Sequence, residues 1–302
     1  MVNQIKNTMT VSDTLILEKA YQSCETLARS HYENFPVASR FLAKKLRRPI
    51  AVIYAFARSA DDIADEGNHT PEERLVLLNN YWKNLENIQN RIPINDPLFL
   101  ALAHTIQTHH LPIDLFFDLL KAFKQDVLKQ DYANVQEILE YCRYSANPIG
   151  RLLLHLTHQD TDNNLIASDK ICTALQLINF LQDLQSDNQI RKRCYLPQDQ
   201  MQVLGVSNQD LQITKINPEI NELIKNQWTL AKDLIQQGTL LGAQLPGIFG
   251  YEIRMMIVCA KIMLKQLDAR QNVYQRPVIS YKHVPFVLWH ALACQYQNFM
   301  LR

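Results

Sequence analysis

Two runs of polar residues recur at helical spacing, and both end in carboxylates. In the first, Tyr54, Arg58, Asp61 and Asp65 are separated by 4, 3 and 4 positions; in the second, Gln176, Asn179, Asp183 and Asp187 are separated by 3, 4 and 4. Residues three or four apart share one face of a helix, so each run is a single stripe. Asp61, Asp62, Asp65 and Glu66 also crowd the end of an apolar helix, where the macrodipole favours cations. A lone Asp-x-x-x-Asp is ordinarily a solvated face. Two of them, each late in an apolar helix and each continued by polar residues on the same stripe, point instead to a bound cation held between opposed helices. With no His or Cys on either stripe, the oxygen ligands suit Mg²⁺, with Mn²⁺ as a substitute, better than Zn²⁺. Because Mg²⁺ prefers to share phosphate oxygens, the ligand expected beside it is a diphosphate ester. Arg58 and the basic run Arg191 to Arg193 would supply the remaining positive charge.

The elements that must position these stripes are helices. The first is expected from Pro49, suited to a first helical position, to just before Gly67, suited to the position past a helix end. The second is expected to be capped by Ser168-Asp169 and to run to Asp187, its other faces being apolar. Around them, helices are expected over residues 13–30 and 37–46 and, behind the Thr70-Pro71-Glu72-Glu73 capping box, to about Asn90. Others cover residues 98–108, 112–129, 218–242, 249–274 and 285–300. The segment Asn134 to Arg151 is helical in pattern but contains Pro148, which predicts a break near Asn147. Such breaks in a helical wall often line a cavity.

Composition agrees with an all-α protein. Only 7 glycines in 302 residues, against abundant Leu, Ile, Ala, Gln, Lys and Glu, argues against a turn-rich β architecture. No linker, repeat or low-complexity tract divides the chain, so a single domain over residues 1–302 is expected. A net charge of +1 gives no reason to expect nucleic acid. The six cysteines are scattered, without C-x-x-C pairs, and read as reduced thiols of a cytoplasmic protein. The N-terminus carries no secretory pattern, and no apolar run reaches the 18 or so residues a membrane span requires. Peripheral contact with the inner face of a membrane stays open: Val284 to Trp289, after Lys282 and His283, is a candidate interfacial segment, against the plainer reading of a C-terminal helix packed on the core.

The run Arg58-Ser59-Ala60-Asp61-Asp62-Ile63-Ala64-Asp65, the run from Gln176 to Asp187, and Arg193-Cys194-Tyr195-Leu196-Pro197 together resemble the squalene/phytoene synthase family, over nearly the whole chain from His31 to about Asp268. Within it, Phe35-Pro36-Val37-Ala38-Ser39 and Ser145-Ala146-Asn147-Pro148-Ile149-Gly150-Arg151 are most similar to the bacterial hopanoid-pathway branch, the hydroxysqualene synthases. The resemblance implies an isoprenoid-synthase helical bundle around a central cavity. It matches Asp61 and Asp65 to one metal-binding motif and Asn179, Asp183 and Asp187 to the other. His31, Tyr54, Arg58, Gln176, Arg193 and Tyr195 fall on positions that hold the diphosphate or close over it, and Tyr144 lies where the cavity is shaped beside the reacting carbons. Asn147 stands where relatives usually have Gly, and its amide could position a water. Asp131 and Met263 replace an arginine and a tyrosine found in relatives, so diphosphate contacts there are not expected.

The reaction so implied is Mg²⁺-dependent conversion of presqualene diphosphate and water to hydroxysqualene and diphosphate, with no nicotinamide. Neighbouring enzymes of squalene synthesis are the partners it suggests. A related alternative is head-to-head condensation of farnesyl or geranylgeranyl diphosphate to presqualene diphosphate, squalene or phytoene. A non-catalytic helical binding or assembly protein should have lost acids from one motif, and both are intact. For a helical scaffold without a site, Asp61→Ala and Asp183→Ala should be neutral or stabilising.

Overall fold

The structure, a computed structural model, describes residues 11–30 and 44–300, with side chains over 13–30 and 44–293. His31, the Phe35–Ser39 stretch and most of the helix expected over 37–46 lie outside these residues. Helices α1 (Val11–Ser30), α2 (Lys44–Asp65), α3 (Pro71–Gln89), α4 (Pro97–His109) and α5 (Asp114–Leu128) enclose one apolar core, centred on Phe56, Phe99, Phe116 and Leu120. A second core lies among α6 (Val135–Ser145), α8 (Asp162–Gln182), α12 (Pro218–Gly238), α14 (Gly247–Ala269) and α15 (Val284–Met300). The short α7 (Asn147–Leu156) joins the two, giving Leu152 and Leu156 to the first and Leu154 to the second. The fold is an all-α bundle. Among the described residues, its β structure is one parallel pairing of β1 (Asp131–Tyr132) with β2 (Cys194–Pro197).

Local sequence explains several boundaries. Thr70 Oγ1 accepts from the Glu73 amide at 3.3 Å while Glu73 Oε2 accepts from the Thr70 amide at 2.9 Å, completing the capping box. The break before Pro148 falls at Ala146, and α7 starts afresh with the proline in its first turn. Gly67, at φ 77°, takes the left-handed conformation that ends α2.

Several expected helix boundaries are corrected. Pro49 does not open α2: it lies inside it, and the helix starts at Lys44, with Pro49 costing one backbone hydrogen bond near the N-terminal end. Ser168-Asp169 does not cap α8, which begins seven residues earlier behind Thr161, whose side chain accepts from the Asn164 amide. Ser168 is buried where α7 crosses α8, and a Cβ at Gly150 would come within 2.3 Å of its hydroxyl, so a small side chain is needed at the crossing. Finally, α8 stops at Gln182; a short turn, α9 (Leu184–Ser186), and a π-helical turn over Asp187–Arg191 carry the stripe onward. The Asp187 amide still donates to the Asp183 carbonyl at 2.9 Å, so both acids stay in helical register. Farther on, α12 ends at Gly238, with α13 (Leu241–Gln244) separate, and α14 ends at Ala269.

Candidate active site

A cavity of about 430 Å³ opens between α2, α5 and α8. From α2 it receives Arg58, Asp61 and Asp65; from α8 and its continuation, Gln176, Asn179, Phe180, Asp183, Asp187 and Arg191. The two stripes therefore do face one space. Arg193 and Tyr195 enter from the start of β2, and Met263 from α14. Three further contributors had no place in the sequence reading: Asp126 near the end of α5, Tyr141 on α6, and the segment carrying Arg276, Val278 and Ile279.

Guanidinium groups join the acids across the cavity. Arg191 places Nε 3.1 Å from Asp65 and Nη1 2.7 Å from Asp187, tying α2 to the π-helical turn. Arg193 Nη2 lies 2.7 Å from the other oxygen of Asp65, and Arg276 pairs with Asp183. Arg58 spans Asp61 at 3.4 Å and Asp62 and Glu66 at 2.6 Å each. Asp62 and Glu66, off the stripe, thus serve to hold Arg58. The π-helical turn is what permits this geometry: Lys192 closes it at φ 57°, and the Arg193 amide returns to the Asp187 carbonyl at 2.9 Å, turning both arginines back onto the acids.

Below this layer Asp126 is buried and takes two tyrosyl hydroxyls, Tyr141 donating at 2.8 Å and Tyr195 at 3.0 Å, with Arg193 at 4.0 Å. The Tyr195 ring stacks on Phe180 with centroids 3.9 Å apart, which fixes the hydroxyl's direction. Burial pushes the Asp126 carboxyl up to about 6, against the pull of Arg193 and the two hydroxyls. Asp61 is pushed up to about 7 by burial and by the charge of Asp65, with Arg58 opposing. Asp187 also reaches about 7 through burial, although Arg191 stabilises its charge. Solvent reaches 39% of the Asp61 side chain, but that contact is with the confined cavity, so desolvation still governs the carboxyl.

Among the described residues no three carboxylate, imidazole or thiol groups form a ready-made metal cage. The donors nevertheless suit a hard divalent ion. They are carboxylate and amide oxygens on two facing elements; Asn179 Oδ1 is buried without a hydrogen-bond partner among the described residues, and the neighbouring acids already attract cationic groups. The remaining sequence-selected residues lie elsewhere or deeper. Tyr54 is half-buried on α2, one turn before Arg58. Tyr144 lies beneath the Lys121 ammonium, 5.2 Å from its ring centre, and buried Asn147 accepts from the Thr173 hydroxyl at 3.0 Å, pinning α7 to α8. Neither Tyr54, Tyr144 nor Asn147 lines the cavity. Asp131 is occupied by Asn208 at 2.7 Å.

The sequence profile described as Squalene/phytoene synthase matches residues 28–283, which span both acidic stripes, the broken wall and Arg193. The chain belongs to the squalene/phytoene synthase family. Among relatives in this family, hydroxysqualene synthase from Zymomonas mobilis is 34% identical over 70% of this chain and 71% of its own length. Hydroxysqualene synthase from Rhodopseudomonas palustris is 32% identical over 85% of this chain and 86% of its own. The crystal structure of a squalene synthase from Alicyclobacillus acidocaldarius superposes with a TM-score of 0.78 at 30% identity, covering 87% of this chain and 97% of that one. The protein is an isoprenoid synthase of the squalene/phytoene synthase type.

Proposed function

We propose that the chain converts presqualene diphosphate and water to hydroxysqualene and diphosphate. The observation that carries this reading is one cavity in which two acidic elements face each other, laced by Arg58, Arg191, Arg193 and Arg276. Asp61 and Asp65 on one side, and Asn179, Asp183 and Asp187 on the other, would hold Mg²⁺. Bound there, Mg²⁺ supplies Lewis-acid neutralisation of the leaving diphosphate. Arg58 and Arg193, with Gln176, donate hydrogen bonds to diphosphate oxygens as negative charge develops on them. Asp126 and Tyr195 orient Arg193 for that contact.

Heterolysis sends the C–O bonding pair out with diphosphate and leaves a cyclopropylcarbinyl cation. Phe180, Met263, Val278 and Ile279 give the cavity apolar wall against which that cation rearranges away from bulk water. Water then adds through oxygen and loses a proton, so no reductant is consumed. We assign Tyr144 and Asn147 to shaping the wall from outside the cavity lining, Asn147 by holding α7 to α8 through the Thr173 hydroxyl. We also propose that the hydrocarbon product leaves toward a bilayer.

The test is to supply purified protein with presqualene diphosphate and Mg²⁺, without reductant, and separately with farnesyl diphosphate. Hydroxysqualene from the first substrate is expected; no alcohol from it, with condensation of the second, would replace this reading by head-to-head prenyl transfer.

A further inference from the structure

Arg276 reaches Asp183 from residues 270–280, a strap with no helix or strand of its own. Solvent reaches 47% of the arginine side chain and 26% of the aspartate. An ion pair so exposed is worth little by itself, because ordering a long side chain on an irregular segment costs about what the attraction returns. The strap must be held by other contacts.

Two side chains hold it, and each grips peptide groups next to the pair. Arg270 Nη1 donates to the Leu181 carbonyl at 2.9 Å and to the Gln275 carbonyl at 3.2 Å. Leu181 lies two residues before Asp183, and Gln275 immediately precedes Arg276. Gln182, 1% exposed and directly before Asp183, donates through Nε2 to the Pro277 carbonyl at 3.0 Å. The strap is therefore tied to the end of α8 on both sides of Arg276. Its Tyr274 hydroxyl donates to the Lys215 carbonyl at 2.9 Å, which fixes the far edge.

The ties are incomplete. Arg270 Nε and Nη2 and Gln182 Oε1 are buried without a hydrogen-bond partner among the described residues, and burial pulls the Arg270 guanidinium down to about 10. A partly satisfied polar network holds less firmly than a closed one, so the strap can be lifted from α8. Asp183 is also one of the oxygens assigned to the metal, and guanidinium and metal ion compete for it.

We propose that Arg270 and Gln182 are positioning residues that dock the strap on the end of α8 and so keep Arg276 on Asp183 as a counter-ion that a divalent metal must displace. The displacement rests on the metal reading of the acidic stripes above; the docking does not.

The test has two readouts on the full chain without substrate. Hydrogen exchange by mass spectrometry over residues 271–281 reports docking. Gln182→Met, which keeps the side-chain volume and removes the donor, and Arg270→Met should each raise exchange there by at least about threefold, while Arg270→Lys, which keeps a donor, should stay near wild type. Mn²⁺ affinity, from the electron paramagnetic resonance signal of the free ion, reports the counter-ion. It should rise about threefold in Gln182→Met, Arg270→Met and Arg276→Gln, with no further rise when Gln182→Met is combined with Arg276→Gln. A strap that serves only packing would lose stability without gaining metal affinity. Circular dichroism checks each fold, and the two Met variants act at separate ties, so loss of one to misfolding leaves the other. Unchanged exchange in the folded Met variants, Mn²⁺ affinity that is unchanged or lowered, or additive gains in the double variant would overturn the proposal. Raised exchange in a chain whose wild type binds no Mn²⁺ would instead overturn the metal reading, and the counter-ion role with it, while supporting the docking.

Discussion

Arg191 bridges Asp65 and Asp187, so at the level of single residues a guanidinium occupies the gap that the spacing of the acids assigned to a metal ion. The carboxylates are poised for cations but incompletely satisfied by them. Asp61 and Asp187 hold their protons up to about 7, and Asp126 to about 6, against an ordinary carboxyl near ~4. Over that interval the folded chain retains protons that the unfolded chain releases, so stability contributed by these groups is full below about pH 4 and is lost as pH rises through about 7. In chelator, the melting temperature should therefore fall between about pH 5 and about 8, and Asp61→Asn should flatten the fall; a rise over the same range would contradict the assignment. Asp126→Asn should keep the fold but remove the charge that orients Arg193, lowering turnover at least about tenfold with pyrophosphate affinity also reduced. Asp126 was open to detection in the sequence, since it follows Phe123 by three positions on the buried face of α5. Arg276 was not: it lies in an irregular segment, and its partner Asp183 is 93 residues away, a pairing that only the tertiary fold creates.

At the level of elements, the signals that survived were those with a local cause. Thr70 and Glu73 satisfy each other's amides, and Pro148 cannot continue α6, so cap and break were both readable. Local rules failed where packing decided. Ser168 looks like a cap but is the small residue that lets α7 approach α8, and the π-helical turn after Asp187 has no sequence signal beyond its basic run. Gly238 tests this directly. A Cβ there would meet Ile171 at 2.6 Å and the Ala167 carbonyl at 2.9 Å, so α12 could not keep its distance from α8. Gly238→Ala should destabilise the protein by about 1–3 kcal/mol, measured by urea unfolding, despite alanine's better helix propensity. Thr70→Ala, which removes only a cap remote from the cavity, should cost about 1 kcal/mol and leave turnover unchanged.

For the whole molecule, α7 contributes to both apolar cores, and the cavity is walled by elements from each. We propose that the chain behaves as one domain, so thermal unfolding should show a single transition by circular dichroism and by Trp fluorescence alike. Two separated transitions would divide it. The arrangement also explains why the family could be recognised from separated motifs: Asp61 and Asp183 belong to helices far apart in sequence that meet only at the cavity. The most direct test of that meeting is turnover of presqualene diphosphate with Mg²⁺ by Asp61→Asn and Asp183→Asn, with melting temperature followed in parallel. Each variant should lose about 10²–10³-fold or more in turnover while melting at or above the wild-type temperature. Retained turnover in either would contradict a catalytic site built from the two acidic stripes.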